Sequence, residues 1–145
     1  MDANLHGSEI FAPFMGMLAL TFVVWVAMYV RRLGYIFGHR IDAQQLTTPE
    51  KGAKIIPEEI HWSAYNFRNL FELPVVFYAL CLYLFVTGSV DSVYVTCAWT
   101  FLVLRIVHSA IHCTVNIVRL RFASYILGAL VLWFMVLRTA LDLVG

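Results

Sequence analysis

Four stretches of this sequence are long and apolar enough to cross a lipid bilayer as helices. The first runs from Ile10 to Val30 without a charged residue, and about 20 such residues span the hydrocarbon. Inside lipid only a helix or a closed barrel satisfies every backbone polar group. We therefore predict an all-α membrane protein, a four-transmembrane-helix bundle forming a single domain over residues 1–145. The predicted spans cover about residues 10–31, 66–88, 92–116 and 121–142.

The composition supports lipid as the solvent of this chain. Hydrophobic residues make up 61% and charged residues 13%, against about 25% charged in soluble domains. The net charge of +1 gives no basis for nucleic-acid binding. The segment before the first stretch carries no lysine or arginine, so we expect a retained span and not a cleaved signal peptide.

The basic residues indicate how the spans are oriented. The polar segment at about residues 32–64 is expected to be a loop with a short helix, and it faces the same side as the connection between the third and fourth spans. The basic residues in and beside these two connections are Arg31, Arg32, Arg40, Lys51, Lys54, Arg68, Arg119 and Arg121. The positive-inside rule places both connections in the cytoplasm and both termini outside it. The short loops favour a bacterial inner membrane over the endoplasmic reticulum.

Polar side chains inside the spans are candidates for function, because they are costly in lipid. They form three clusters: Tyr65, Asn69 and Glu72 at the start of the second span, Arg105, His108 and His112 in the third, and Arg121 at the start of the fourth. Spacings of three or four residues place the members of a cluster on one helix face. Alternating spans bring the three clusters to one depth, near the basic loops. We predict a polar pocket there for a small charged ligand.

Other interpretations of these residues remain open. Arg119 and Arg121 could be interfacial anchors, and Glu72 could form a structural ion pair with Arg105 or Arg68. The four-residue spacing of His108 and His112 would also suit a metal ion, with Glu72 as a third ligand. The neighbouring guanidinium groups disfavour a cation, so we expect no metal.

The order and spacing of these residues resemble the MAPEG family, the membrane-associated proteins of eicosanoid and glutathione metabolism. The resemblance rests on Asn69-Leu70-Phe71-Glu72-Leu73-Pro74, then Arg105-Ile106-Val107-His108, His112 and Arg121. It implies a homotrimer that binds glutathione as a co-substrate between neighbouring subunits near the cytoplasmic face. It further implies a transferase or peroxidase that acts on lipophilic electrophiles or lipid hydroperoxides.

The resemblance also implies roles for individual residues. Asn69 and Glu72 would hold glutathione, Glu72 through the amino group. Arg105, His108 and His112 would line the same cleft. His112 stands where relatives often have a tyrosine.

The catalytic role falls on Arg121, which matches an arginine proposed to stabilise the glutathione thiolate. Arg31 or Arg32 would face it from the next subunit, and Tyr65 stands where relatives commonly carry an arginine. Family members that have lost glutathione chemistry act as lipid-binding scaffolds. The alternative function is therefore a non-catalytic scaffold or an accessory subunit of a larger membrane assembly.

Overall fold

The computed structural model describes residues 7 to 144, and this part of the chain is helical. Its α-helices are α1 (Phe11–Gly38), α2 (Pro49–Ile55), α3 (Glu58–Asn69), α4 (Leu73–Val86), α5 (Ser92–Cys113) and α6 (Val118–Val144). Short 3-10 helices cover Ser8–Ile10 and Ala43–Leu46. The segments long and apolar enough to cross a membrane are Ser8–Gly38, Glu58–Val86, Ser92–Cys113 and Val118–Val144. The prediction of an all-α protein with four such segments is confirmed.

The second membrane segment is interrupted between α3 and α4. α3 ends at Asn69 and α4 begins at Leu73, whereas the sequence predicted one continuous helix here. Pro74 explains the break, because proline has no N–H to donate and its ring clashes with the carbonyl four residues earlier. Asn69 and Glu72 therefore flank the break and do not share a helix face. They still meet, since Nδ2 of Asn69 donates to Oε2 of Glu72 at 2.7 Å.

The polar segment after the first span is more helical than predicted. α1 continues to Gly38, and the expected short helix is α2. Two side chains cap the helices of this segment by accepting backbone hydrogen bonds, a role that suits Asp and Thr. Asp42 accepts from the amide of Gln44 at 2.9 Å, and Thr48 accepts from the amide of Lys51 at 3.3 Å.

The core of the bundle is apolar along its length. α1 packs mainly against α3 and α5, and α5 packs mainly against α6. In the core the rings of Phe77 and Phe101 stack with their centroids 4.8 Å apart. Large apolar side chains are also exposed on the outer helix faces, among them Phe22, Val86 and Leu130. An apolar outer face is what lipid requires of a helix that spans it.

Gly16 lets α1 approach α5 closely. A Cβ atom at Gly16 would lie 2.5 Å from Cδ2 of Leu102, too close for two carbons that are not bonded. We expect Gly16→Ala to destabilise the protein by about 1–3 kcal/mol, because Leu102 must leave its packed position. The control is Gly34→Ala on the same helix, where the added Cβ meets nothing within 4 Å. Equal melting temperatures of the two variants in detergent would contradict this close approach.

A polar cluster joins the start of α5 to the end of α6. Asp91 caps α5 by accepting from the amide of Tyr94 at 3.0 Å, and it forms an ion pair with Arg138. The buried Tyr94 hydroxyl lies 3.0 Å from Oγ1 of Thr139. These contacts tie the two helices together at the end of the bundle opposite the predicted ligand pocket.

The ion pair predicts a dependence of stability on pH. Hydrogen bonds from Arg138 hold the pKa of the Asp91 carboxyl below its ordinary value. The resulting stabilisation is present above the unfolded pKa of about 3.9 and is lost as the pH falls through the folded pKa. The Asp91 side chain is 42% exposed, so we expect an effect of only about 0.2–1 kcal/mol.

The measurement compares melting temperatures of the wild type and Asp91→Asn from neutral pH down to acid. Asparagine keeps the helix cap but cannot form the ion pair. The wild type should lose more stability on acidification than the variant. Parallel curves for the two proteins would show that the ion pair contributes nothing.

Candidate functional site

Arg105 is the centre of the polar cluster near the other end of the bundle. It lies on α5 and is fully buried, with 0% of its surface exposed. Its Nη2 atom donates to the side-chain oxygen of Asn69 and to the Asn69 backbone carbonyl at 3.4 Å. The last carbonyls of a helix have no intrahelical partner. The end of α3 at Asn69 therefore supplies acceptors for a guanidinium that would be costly to bury alone.

Several buried nitrogens of this cluster have no hydrogen-bond partner within residues 7 to 144. They are Nε and Nη1 of Arg105, Nε2 of His108 and Nδ1 of His112. Leaving a buried donor or acceptor unsatisfied costs about 1–3 kcal/mol. A ligand with anionic or carbonyl oxygens would satisfy the free guanidinium nitrogens. The cluster therefore fits a polar, acidic ligand.

A cavity of about 260 Å³ opens beside His108 and His112, whereas the buried Arg105 does not itself line it. It is lined by Asn69, His108, His112, Val118, Arg121, Phe122 and Tyr125. Its polar side chains come from three helices, whereas Val118 and Phe122 are exposed apolar residues. The cavity can thus hold a polar ligand next to an apolar surface.

The turn between α5 and α6 holds Arg121 at the cavity. Asn116 in this turn has a φ of +47°, a left-handed conformation that asparagine tolerates. Its side-chain oxygen accepts a hydrogen bond from Nη1 of Arg121. Nδ1 of His108 lies 3.0 Å from the Arg121 backbone oxygen. Asn116 in the turn therefore holds the guanidinium of Arg121, and His108 on α5 contacts its backbone oxygen.

Two residues near the cluster were absent from the predicted site. The Tyr125 ring centroid lies 5.6 Å from the guanidinium carbon of Arg105, and its signal was a spacing of one helical turn from Arg121. Asn66 is fully buried, and its Oδ1 accepts from the Ser109 hydroxyl at 3.4 Å. The sequence signal for Asn66 was its position one turn before Asn69 on α3, together with Ser109 one turn after Arg105 on α5.

The structure brings together most of the predicted site residues. Those that meet in or beside the cavity are Asn69, Glu72, Arg105, His108, His112 and Arg121. Arg31 instead donates from Nη1 to the carbonyl of Cys113, the last residue of α5, where a cation is favourable. Arg32 and Tyr65 line a separate pocket. The ligand-binding roles of all these residues stay predictions.

The residues considered as alternative metal ligands, His108, His112 and Glu72, are not grouped as a metal site in the described part of the chain. No group of three His, Cys, Asp or Glu residues among residues 7 to 144 is arranged to hold a metal ion. His108 directs Nδ1 at a backbone carbonyl, and Glu72 accepts from Asn69.

A larger concave region lies away from this chemistry. It measures about 450 Å³ and lies on one face of α5, lined by Thr96, Trp99, Thr100, Val103 and Leu104. The hydroxyls of Thr96 and Thr100 each donate to a carbonyl of their own helix at 2.8 Å. This groove therefore offers little that could orient a polar ligand, and the cavity beside Arg105 is the better candidate site.

The fold and the cluster define a small membrane protein whose four spans enclose polar groups at one end of the bundle. Over residues 10–141, nearly the whole chain, the sequence matches the profile of the MAPEG family. The chain belongs to the MAPEG family, and the resemblance seen in its motifs is confirmed. No curated protein and no solved structure matches it significantly.

Proposed function

We propose that this protein is a glutathione-dependent membrane transferase or peroxidase that acts on lipophilic electrophiles or lipid hydroperoxides. The observation that carries the proposal is the buried guanidinium of Arg105, with Nε and Nη1 unpartnered in the described chain. Glutathione carries two carboxylates, and guanidinium groups bind carboxylates through strong charge-assisted hydrogen bonds. Membership of the MAPEG family supports the same ligand.

The chain offers a group for each part of this co-substrate. Arg105, His108 and His112 provide buried nitrogens for the carboxylates and peptide groups of glutathione. The exposed carboxylate of Glu72 suits its amino group. Arg121 provides a cation for its thiol.

The chemistry that glutathione supplies when bound is a sulfur nucleophile. A thiol has an ordinary pKa near 8.5, and an adjacent cation lowers it. Each unit of lowering corresponds to about 1.4 kcal/mol of preference for the thiolate. The role of Arg121 in this proposal is to increase the fraction of thiolate at neutral pH, while the apolar rim at Val118 and Phe122 accepts the lipophilic substrate.

The proposal includes a homotrimer in which the neighbouring subunit closes the cavity. The exposed apolar side chains of Val118 and Phe122 support this, because a second subunit or lipid must cover them. Arg32 of the neighbouring subunit would add a cation there. The proposed orientation keeps the basic loops in the cytoplasm and both termini outside it, in a bacterial inner membrane.

Calorimetry of glutathione binding to the purified protein in detergent tests the proposal. We expect saturable binding that becomes at least tenfold weaker in Glu72→Ala, since a hydrogen bond to a charged group contributes about 1.5–3 kcal/mol. Glu59→Ala is the control, because Glu59 is an exposed carboxylate that lines none of the described pockets. Absence of binding at millimolar glutathione would overturn the proposal and favour the non-catalytic, lipid-binding scaffold.

A further inference from the structure

Asn66 is a buried polar residue to which the proposed function gives no role. It lies on α3, one turn before Asn69, and none of its surface is exposed. It lines neither the cavity beside His108 nor the separate pocket at Arg32. Burying a polar side chain is costly unless it is hydrogen-bonded. The partners of Asn66 therefore indicate what its side chain does.

Both ends of the Asn66 amide contact α5. Its Oδ1 accepts from the Ser109 hydroxyl at 3.4 Å, and its Nδ2 donates to Sγ of Cys113 at 3.4 Å. Ser109 and Cys113 are four residues apart, so they are neighbours on one face of α5. Hydrogen bonds between spans contribute to helix association in lipid. The two contacts together set both the rotation of α3 about its own axis and its height along α5.

The end of α5 is itself held by a third helix. Arg31 on α1 donates from Nη1 to the backbone carbonyl of Cys113, while Asn66 on α3 contacts the thiol of the same residue. Three spans therefore meet at Cys113. Because α1 holds this end of α5, it is a fixed support for α3.

The attachment at Asn66 lies next to the contact between Asn69 and Arg105. Asn69 follows Asn66 by three residues on α3, and Ser109 follows Arg105 by four residues on α5. Nη2 of Arg105 donates to both oxygens of Asn69, and both residues belong to the proposed glutathione site. α3 ends at Asn69, so this helix has no later turn to hold the Asn69 side chain. A rotation of α3 would withdraw that side chain from Arg105.

We propose that Asn66 is a positioning residue, which fixes α3 on α5 so that Asn69 and Arg105 keep the arrangement that binds glutathione. This inference rests on the proposed function and assigns to Asn66 an effect on ligand affinity. Without its two contacts α3 leaves this arrangement for part of the time. The apparent dissociation constant of glutathione then rises by the inverse of the fraction that remains competent to bind.

The experiment is calorimetry of glutathione binding to the full chain in detergent, for the wild type and Asn66→Ala. We expect the dissociation constant to rise about threefold to tenfold, the range expected from one or two hydrogen bonds between spans. The number of binding sites per chain should stay the same. A merely structural role would give the opposite pattern, because unfolded protein lowers the number of sites and leaves their dissociation constant unchanged.

Variants of the partner residue and of a distant contact serve as controls. Cys113→Ser keeps an acceptor for Asn66 and should bind nearly as the wild type does, whereas Cys113→Ala removes the acceptor and should weaken binding. Thr139→Ala removes a buried contact with Tyr94 at the opposite end of the bundle. It should lower the melting temperature and leave the dissociation constant unchanged. If Asn66→Ala does not fold, the two Cys113 variants must show the expected difference.

The outcomes separate this inference from the function on which it rests. A wild type that binds no glutathione would overturn the proposed function and the inference together. A wild type that binds, with an equal dissociation constant in Asn66→Ala, would overturn the inference alone. Equal weakening by Thr139→Ala would assign the effect to general loosening of the bundle. Equal weakening by Cys113→Ser and Cys113→Ala would show that the hydrogen bond from Asn66 is not the cause.

Discussion

Replacing Arg105 by alanine is expected to abolish glutathione binding and to destabilise the folded protein. The buried guanidinium is hydrogen-bonded to both oxygens of Asn69, and a hydrogen bond to a charged group contributes about 1.5–3 kcal/mol. Alanine would remove the guanidinium donor of the Asn69 side-chain oxygen at the break between α3 and α4, although the Asn69 backbone oxygen still accepts from the amide of Glu72. It would also open a void in the core. We expect a loss of about 2–4 kcal/mol, by analogy with other large-to-small substitutions at buried sites.

The measurement is thermal unfolding in detergent together with glutathione calorimetry. Arg105→Lys is the matched variant, because it keeps the charge but not the planar fork of donors. Lysine should recover part of the stability and little of the binding. Arg105→Ala and Asn69→Ala should be strongly non-additive, since residues in direct contact share one interaction energy. Additive losses would show that the contact between them contributes little.

The spans could be predicted from the sequence because lipid simplifies the problem. An uncharged run such as Ile10–Val30 has no alternative to a helix within the hydrocarbon. The convergence of Asn69, Arg105, His108 and Arg121 was also predictable, because alternating spans set their depth. Burial of Arg105 on the inner side follows from its cost on a face exposed to lipid.

Which cavity each of these side chains lines depends on tertiary contacts that residue spacing along the sequence does not encode. Tyr65 and Asn69 are four residues apart, yet Tyr65 lines a separate pocket, whereas Asn69 lines the cavity beside His108. The difference arises because Asn69 ends α3 and turns its side chain toward Arg105 and Glu72. The proline rule would have located the break at Pro74, but not the hydrogen bond that bridges it.

The position of Arg31 shows a similar limit. A basic residue at the end of a span can serve as an interfacial anchor or as a ligand contact, and the sequence does not distinguish the two roles. In the structure Arg31 reaches the carbonyl of Cys113 at the end of α5. A contact between residues so far apart in sequence depends on how α1 packs on α5, which Gly16 and Leu102 help to set.

Replacing Arg121 by alanine is expected to lower kcat/KM by about 10²–10³, the range seen when one donor to a developing negative charge is removed. In the proposed mechanism the guanidinium stabilises the thiolate of bound glutathione and so keeps the thiol pKa below its ordinary value of about 8.5. Without the cation the thiol pKa rises toward that value, and the thiolate fraction at neutral pH falls about tenfold per unit. The variant should therefore recover activity as the pH is raised, with the acidic limb of its profile displaced to higher pH.

The experiment records kcat/KM against pH with an aryl halide electrophile, for wild type, Arg121→Ala and Arg119→Ala. Arg119 is exposed on the same turn of α6 and lines none of the pockets, so its loss should leave the profile unchanged. Asn116→Gly is a milder variant, because glycine keeps the left-handed backbone and removes only the acceptor for Arg121. It should lower activity less than Arg121→Ala does.

A catalytic thiolate predicts a displaced profile with glutathione binding largely retained. An unchanged profile in Arg121→Ala would assign the arginine to anchoring, and a wild type that binds glutathione without turnover would assign the protein to the non-catalytic members of its family.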